Sequence, residues 1–291
     1  MSKLKQKICI SAPAKLNLNL NVFNKDSDGY HFLQSQICFI NLCDFIFIKE
    51  SKKTTIKQLV HKSNFILNDE TILSKTINLF KDQFKWEKNY QINFIKNIPI
   101  GAGLGGGSAD AAAMLIGLKY LYNKENLRKK ISLKEILNLG FLIGSDVPSC
   151  IYSKSILVAG KGENISFSKV TNNQKYLIIY PGINLSTKKV FSLFKKQKLV
   201  KYQIDKTLNK NSLILTASQI EPKIKEVLNH LKDLKNIRSY GMSGSGSTCF
   251  AIFSNTLDLK CALEQLTKNA NKRWFIWYGN KKEFGYNRIL Y

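Results

Sequence analysis

The sequence predicts an α+β protein of two domains sharing a cleft, and three observations carry that expectation. At 291 residues the chain exceeds the usual size of one domain. Strand-like and helix-like hydrophobic patterns alternate through the first half and resume, after a polar and punctuated stretch at 161–175, in the second. Between a strand pattern and a helix pattern lies a glycine-rich loop at 99–107. With 44% hydrophobic residues the chain has ample apolar surface to bury a core.

The elements follow in order. Leu16, Leu18, Leu20 and Val22 recur at period two and are expected to face a core, which sets Lys15, Asn17, Asn19 and Asn21 on the opposite face of the same strand. Polar residues at 24–29 read as a turn, followed by strands over 30–40 and 44–48. A helical period covers 71–86, a strand 90–95, and beyond the glycine-rich loop a helix begins near Ser108, read as its N-cap. A helix over 133–142 and a strand over 156–159 lead to the stretch 161–175, read as the crossing between domains. The second half carries strands over 176–180, 248–253 and 273–278 and helices over 188–194, 222–234 and 257–267. Domains over 1–165 and 166–291 result.

Composition excludes several classes. No run approaches the roughly 18 apolar residues of a membrane span, and the opening Met1-Ser2-Lys3-Leu4-Lys5 leads into no apolar signal segment, so a cytoplasmic protein without a membrane partner is expected. The six cysteines have no paired metal-ligand spacing and read as buried free thiols. The formal charge of +25 is spread over nearly the whole chain, and its short clusters at 128–130 and 195–198 do not alternate with aromatics, so no nucleic-acid partner is expected.

The loop Pro99-Ile100-Gly101-Ala102-Gly103-Leu104-Gly105-Gly106-Gly107-Ser108 feeds into Ala109-Asp110-Ala111-Ala112-Ala113, a strong helix opening. Glycines let backbone approach an anion, and the helix N-terminus adds unpaired N–H groups and the positive end of a dipole, so phosphate is expected there. A Walker A loop is excluded, because no Gly-Lys in the chain is followed by Ser or Thr. The dinucleotide fingerprint is formally present as Gly101, Gly103 and Gly106, with Glu125 near the place of a ribose-binding acid, but five residues separate its first glycine from the strand.

Three segments in order resemble the motifs of the GHMP kinases: Ser11-Ala12-Pro13-Ala14-Lys15-Leu16-Asn17-Leu18, the glycine-rich loop, and Gly241-Met242-Ser243-Gly244-Ser245-Gly246-Ser247. The resemblance implies the two-domain GHMP kinase fold, an N-terminal nucleotide-binding domain like domain 2 of ribosomal protein S5 and a ferredoxin-like C-terminal substrate-binding domain. It implies ATP as donor, Mg2+ as metal, and contacts to the phosphates from Pro99, Gly101, Ala102, Gly103, Leu104, Gly105, Gly106, Gly107 and Ser108. Within the family, Asp28-Gly29-Tyr30-His31, the elongated run Gly105-Gly106-Gly107-Ser108, Gly144-Ser145-Asp146-Val147-Pro148, and Pro181-Gly182 with Thr187 and Phe191 resemble members whose acceptor alcohol carries a cytidine diphosphate. That implies a small-molecule substrate, a cytidine diphosphate-linked methylerythritol phosphorylated on its 2-hydroxyl, on the non-mevalonate route to isoprenoid precursors. Lys15 and Asp146 then become the expected catalytic residues, Asn17, Tyr30, His31, Thr187 and Phe191 the substrate-binding ones, and Ser108 the metal ligand; a monomer or homodimer is expected. The chain departs from the pattern at Ala109, where many relatives carry a second serine, and in 68–72, which resembles the adenine segment only loosely.

Overall fold

The computed structural model describes residues 7–290 other than 26, 28, 30, 60–70, 170–172, 195–208, 270 and 272. In chain order the elements are β1 (Lys7–Asn17), β2 (Asn21–Lys25), β3 (His31–Ser51), β4 (Thr55–Gln58), α1 (Ile72–Phe84), β5 (Asn89–Ile95), α2 (Gly106–Glu125), α3 (Leu133–Ile143), α4 (Val147–Tyr152), β6 (Ile156–Gly160) and β7 (Asn164–Phe167). There follow β8 (Lys175–Tyr180), α5 (Thr187–Leu193), α6 (Ile214–Ile220), α7 (Lys223–Lys232), β9 (Ser239–Met242), β10 (Cys249–Phe253), α8 (Thr256–Asn269), β11 (Phe275–Asn280) and β12 (Ile289–Leu290).

Two sheets organise the chain. The first has the order β12-β1-β3-β5-β4, with β2 and the β6–β7 hairpin added along β3. The second is a four-stranded antiparallel sheet in the order β11-β8-β10-β9. Helix α2 is buried over almost its whole first three turns, from Ala109 to Leu118, as its run of alanine and large apolar residues demands of a helix without a polar face. It lies so close to the sheet that a Cβ on Gly117 would meet Ile48 Cδ1 at 2.6 Å.

Helices α1 and α3 begin at capping boxes, Thr71 with Ser74 and Ser132 with Glu135. In the second sheet Leu177 and Ile179 of β8 pack with Ile224, Val227 and Leu231 of α7 and with Leu259 and Ala262 of α8. The alternate residues Tyr176, Ile178 and Tyr180 pack instead on Leu16, Cys38, Ile40 and Leu104 of the first domain. The period of two in β8 therefore welds the two domains through a second apolar core.

The first strand carries the detail on which the site depends. Ile8 and Ile10 stand opposite Ile48 and Ile46, all in the core under α2. The register shifts between Pro13 and Lys15, so that Leu16 opposite Cys38 now faces the second domain, while Lys15 and Asn17 stand opposite Phe39 and Ile37 on the α2 side. Shifting pairing by one residue exchanges the faces of a strand, and here the shift brings an ammonium to the helix side.

Several expectations change. The strand expected to run through Val22 is interrupted after Asn17 and resumes at Asn21, although Leu16, Leu18, Leu20 and Val22 are all buried as the period predicts. Strands expected separately at 30–40 and 44–48 are one strand of 21 residues. Helix α2 starts at Gly106 with Gly105 as N-cap, so Ser108 is its third residue and not its cap; Gly105, at φ 65°, makes the left-handed turn a serine would resist. The stretch 161–175 contains β7, paired to β6 in the first sheet. All six cysteines are unpaired, but Cys9 is half-buried and Cys261 exposed, while the other four are buried. No helix among the described residues is long and apolar enough to cross a membrane.

Candidate active site

The glycine-rich loop is stitched between the two domains. The Lys15 N–H donates to Leu104 O at 2.8 Å, fastening the loop to β1, and the Thr248 N–H donates to Ala102 O at 3.2 Å, fastening it to the second domain. Ser243 Oγ donates to Gly103 O at 3.3 Å and accepts from the Asn17 N–H at 3.2 Å, so the three motif segments meet at one hydroxyl. Gly103, at φ 75°, lies so close that an added Cβ would stand 2.2 Å from Gly246 O. A Cβ on Gly105 would meet Lys15 Cβ and Cε at 3.2 Å, which places the lysine stem directly against the loop.

Lys15 Nζ donates to Asp146 Oδ2 at 2.6 Å across 131 residues of chain. The ammonium is the buried partner, with its side chain 7% exposed, and the carboxylate is 44% exposed. Asp146 occupies the N-cap position of α4, yet its side chain makes no capping hydrogen bond. An aspartate that declines the ordinary work of an N-cap and reaches a lysine instead points away from a purely local role. Asn17, two residues along β1, donates from Nδ2 to Ser35 Oγ at 2.7 Å and holds its Oδ1 buried without a partner.

The loop lines a cavity of about 480 Å3, together with Thr71, Ile72 and Phe94, and its floor holds a cluster the sequence reading missed. Lys96 Nζ donates to Asp44 Oδ2 at 2.6 Å and to Asp110 Oδ2 at 2.5 Å, and Asp44 Oδ1 also accepts from the N–H groups of Asn97 and Ile98. Burial pushes the Asp110 carboxyl up to about 7 against the pull of Lys96, with the Asp44 charge adding to the rise. Burial works against the Lys96 charge, but Asp110 and Asp44 together outweigh it and its pKa is raised. The only sequence signal was Lys96-Asn97 just ahead of Pro99; Asp44 and Asp110 become its partners solely through the sheet and α2.

Across the cleft Thr187, the first residue of α5, shares a hydrogen bond of 2.9 Å between its Oγ1 and Ser245 Oγ. Phe191 on the same helix lies 5.8 Å from the His31 ring, and Phe194 5.6 Å from it edge-on. His31 Nδ1 is 2.9 Å from Phe23 O, whereas Nε2 is buried without a hydrogen-bond partner. Tyr30 and residues 68–70 lie outside the described residues. The expected site residues that are described thus form two connected groups, Lys15, Asn17 and Asp146 with the loop, and His31, Phe191 and Thr187 reached through Ser245.

Other chemistries are poorly served. Burial pushes the thiols of Cys38, Cys43 and Cys150 up to about 12, leaving no thiolate there at neutral pH. Among the described residues no three His, Cys, Asp or Glu side chains converge as a metal cluster. A cation of the Mg2+ type fits such a site, because it keeps waters and takes phosphate oxygens with only one or two protein ligands; Ser108, on the cavity wall, has the one hydroxyl among 99–108.

Family comparison accords with this geometry. The model of the GHMP kinases N terminal domain matches residues 71–154 and that of the GHMP kinases C terminal matches residues 202–272. A 4-diphosphocytidyl-2-C-methyl-D-erythritol kinase of Clostridium acetobutylicum is 32% identical over 277 residues, covering 90% of this chain and 97% of the relative. One of Ehrlichia canis is 35% identical over 283 residues, covering 92% and 96%. The crystal structure of a 4-(cytidine 5'-diphospho)-2C-methyl-D-erythritol kinase superposes with a TM-score of 0.75 at 25% identity, over 94% of this chain and 98% of that one. A mevalonate kinase crystal structure, at TM-score 0.67 and 17% identity over 94% and 98%, shares the fold. The chain belongs to the GHMP kinase family, within its group of 4-diphosphocytidyl-2-C-methyl-D-erythritol kinases.

Proposed function

We propose that this protein transfers the γ-phosphoryl group of ATP to the 2-hydroxyl of 4-diphosphocytidyl-2-C-methyl-D-erythritol, giving the 2-phosphate and ADP, a step toward isoprenoid precursors. The observation that carries the reading is the ion pair of 2.6 Å between Lys15 and Asp146, whose lysine stem runs against Gly105 of the loop. Relatives bearing that activity in their names cover nearly the whole chain and support the choice of acceptor.

Phosphoryl transfer asks a protein for positioning and charge stabilisation more than for covalent help. In this reading the carboxylate of Asp146 accepts the proton of the attacking hydroxyl as its oxygen bonds to the γ-phosphorus and the bond to the β-phosphate oxygen breaks. Lys15 orients that hydroxyl and offsets charge gathering on the transferring group. The N–H groups of Gly106, Gly107 and Ser108, in the first turn of α2, have no intrahelical acceptor and are the donors for the β- and γ-phosphates. Ser108 is the residue that would hold Mg2+, which would supply further neutralisation of the phosphate charge.

Asn17 Oδ1, buried and unpartnered, is the acceptor for a substrate hydroxyl. His31 Nε2, in the same condition beside Phe191, is the polar contact for the cytosine, with Phe191 as its stacking surface. The six unpaired cysteines support a reducing, cytoplasmic setting. An ADP-release assay against a panel of family alcohols, including homoserine, mevalonate and the cytidine diphosphate-linked acceptor, tests the reading; turnover of the last alone is expected. Preferred turnover of homoserine or mevalonate refutes the acceptor, and absence of turnover with all of them refutes the kinase reading.

A further inference from the structure

Arg288 is 5% exposed and buries a full charge with no described carboxylate within ion-pair distance. Its guanidinium donates to Cys150 O at 2.8 Å, Ile151 O at 3.3 Å, Gly285 O at 3.0 Å and Ser153 Oγ. Cys150 and Ile151 are the last buried turn of α4, and Ser153 is its C-cap. The cation therefore sits on the unsatisfied carbonyls and negative dipole end of the short helix whose other end is Asp146. Burying a charge without a carboxylate partner is costly, and the four acceptors offset that cost. What a five-donor planar fork adds over a neutral cap is fixed orientation.

The segment around Arg288 is bonded to both elements that carry the ion pair. The N–H groups of Phe284 and Gly285 donate to Ser153 O, and Glu283 Oε1 accepts from the Ser155 N–H, which lashes 283–285 along the exit of α4. Immediately after Arg288, Ile289 and Leu290 pair with Ile10 and Cys9 of β1, the strand that carries Lys15. One stretch of chain is thus bonded to the helix bearing the carboxylate and to the strand bearing the ammonium.

We propose that Arg288 is a positioning residue: by clamping the C-terminal end of α4 beside β1 it holds the carboxylate of Asp146 against the ammonium of Lys15. The inference rests on the reading of that pair as the phosphoryl-transfer pair, and its test keeps the two separable. Arg288→Met, which retains the stem and removes the donors, is compared with Arg288→Lys and with each change in an Asp146→Asn background. First, lysines of the folded proteins are acylated with acetic anhydride and quantified by peptide mass mapping. Lys15 labelling in Arg288→Met and in Asp146→Asn is expected to rise several-fold relative to Lys81 on α1, and to fall back in Arg288→Lys.

Second, well below the melting temperature, kcat of Arg288→Met is expected to drop about 10- to 100-fold, with KM for ATP and for the acceptor unchanged and partial rescue by Arg288→Lys. The drop is expected to vanish in the Asp146→Asn background. A lowered melting temperature with unchanged kcat and Lys15 labelling overturns the proposal and leaves Arg288 a structural cap, as does a kcat loss that multiplies with Asp146→Asn. If Arg288→Met does not fold, Arg288→Gln and Ser153→Ala carry the same comparisons, with Arg288→Lys kept as the rescue. If the wild type turns over no alcohol, the functional reading falls, and Lys15 labelling alone decides whether Arg288 holds the pair.

Discussion

Replacing Asp146 with Asn exchanges one carboxylate oxygen for an amide nitrogen and leaves side-chain volume unchanged. The structure sets two costs of different size. Lys15, buried to 7% exposure, loses its counter-charge but keeps an amide oxygen as acceptor, and its partner is 44% exposed to solvent. Screening there keeps the folding penalty near that of one weakened hydrogen bond, about 1 kcal/mol. If Asp146 is the proposed proton acceptor, its loss removes a contribution of about two to four powers of ten in rate, or roughly 3 to 5 kcal/mol of transition-state stabilisation. The variant is therefore expected to be folded, to bind ATP with unchanged KM because Asp146 lies outside the loop cavity, and to be nearly inactive in a coupled ADP-release assay. Near wild-type turnover would refute the assignment of the base, and parallel loss of melting temperature and activity would show that the pair serves the fold first.

Three further expectations come from the same geometry. Gly103→Ala forces a Cβ to 2.2 Å from a backbone oxygen at φ 75°, so stability measured by urea denaturation should fall by at least about 2 kcal/mol, whereas Gly107→Ala, where the added atom meets nothing within 4 Å, should leave stability unchanged; equal effects would contradict the packing described. Asp110 has a folded pKa of about 7 against 3.8 in the unfolded chain, so the folded state binds the extra proton and stability declines as pH rises from about 4 to about 7, by at most about 1.4 kcal/mol per pH unit. Asp110→Asn fixes the neutral form and should flatten that slope, and a melting profile with the same slope in the variant argues against two carboxylates competing for Lys96. Phe191→Ala should raise the KM for the acceptor roughly 2- to 10-fold with kcat little changed, and an unchanged KM counts against its role at the base.

Much of the site was legible in the sequence because it is written in residues whose types are unusual where they stand. Glycines at 101, 103 and 105 take positive φ, which other residues adopt only under strain, so their density announced a special loop. Asp146 was harder, since an aspartate before Val-Pro reads locally as a helix cap, and it is distinguished by the missing capping bond and the lysine it reaches. Lys96, Asp44 and Asp110 left almost no local trace: a lysine and two aspartates in a chain with 45 basic and 20 acidic residues become a cluster only when β3, β5 and α2 pack together. Arg288 reads as one more surface cation until burial and four acceptors single it out.

By itself the sequence determined the element types, the two-domain class and the glycine-rich loop ahead of a helix, because hydrophobic period, glycine freedom and helix opening are properties of neighbouring residues. Tertiary structure decided which polar groups are buried together. The shift between Pro13 and Lys15 turned Lys15 to the α2 side, sheet pairing brought Ile289 and Leu290 back to β1, and loop packing set Gly103 against Gly246. Those outcomes depend on contacts between residues on different elements, from two dozen to more than two hundred positions apart, and no local preference encodes a partner at such a distance.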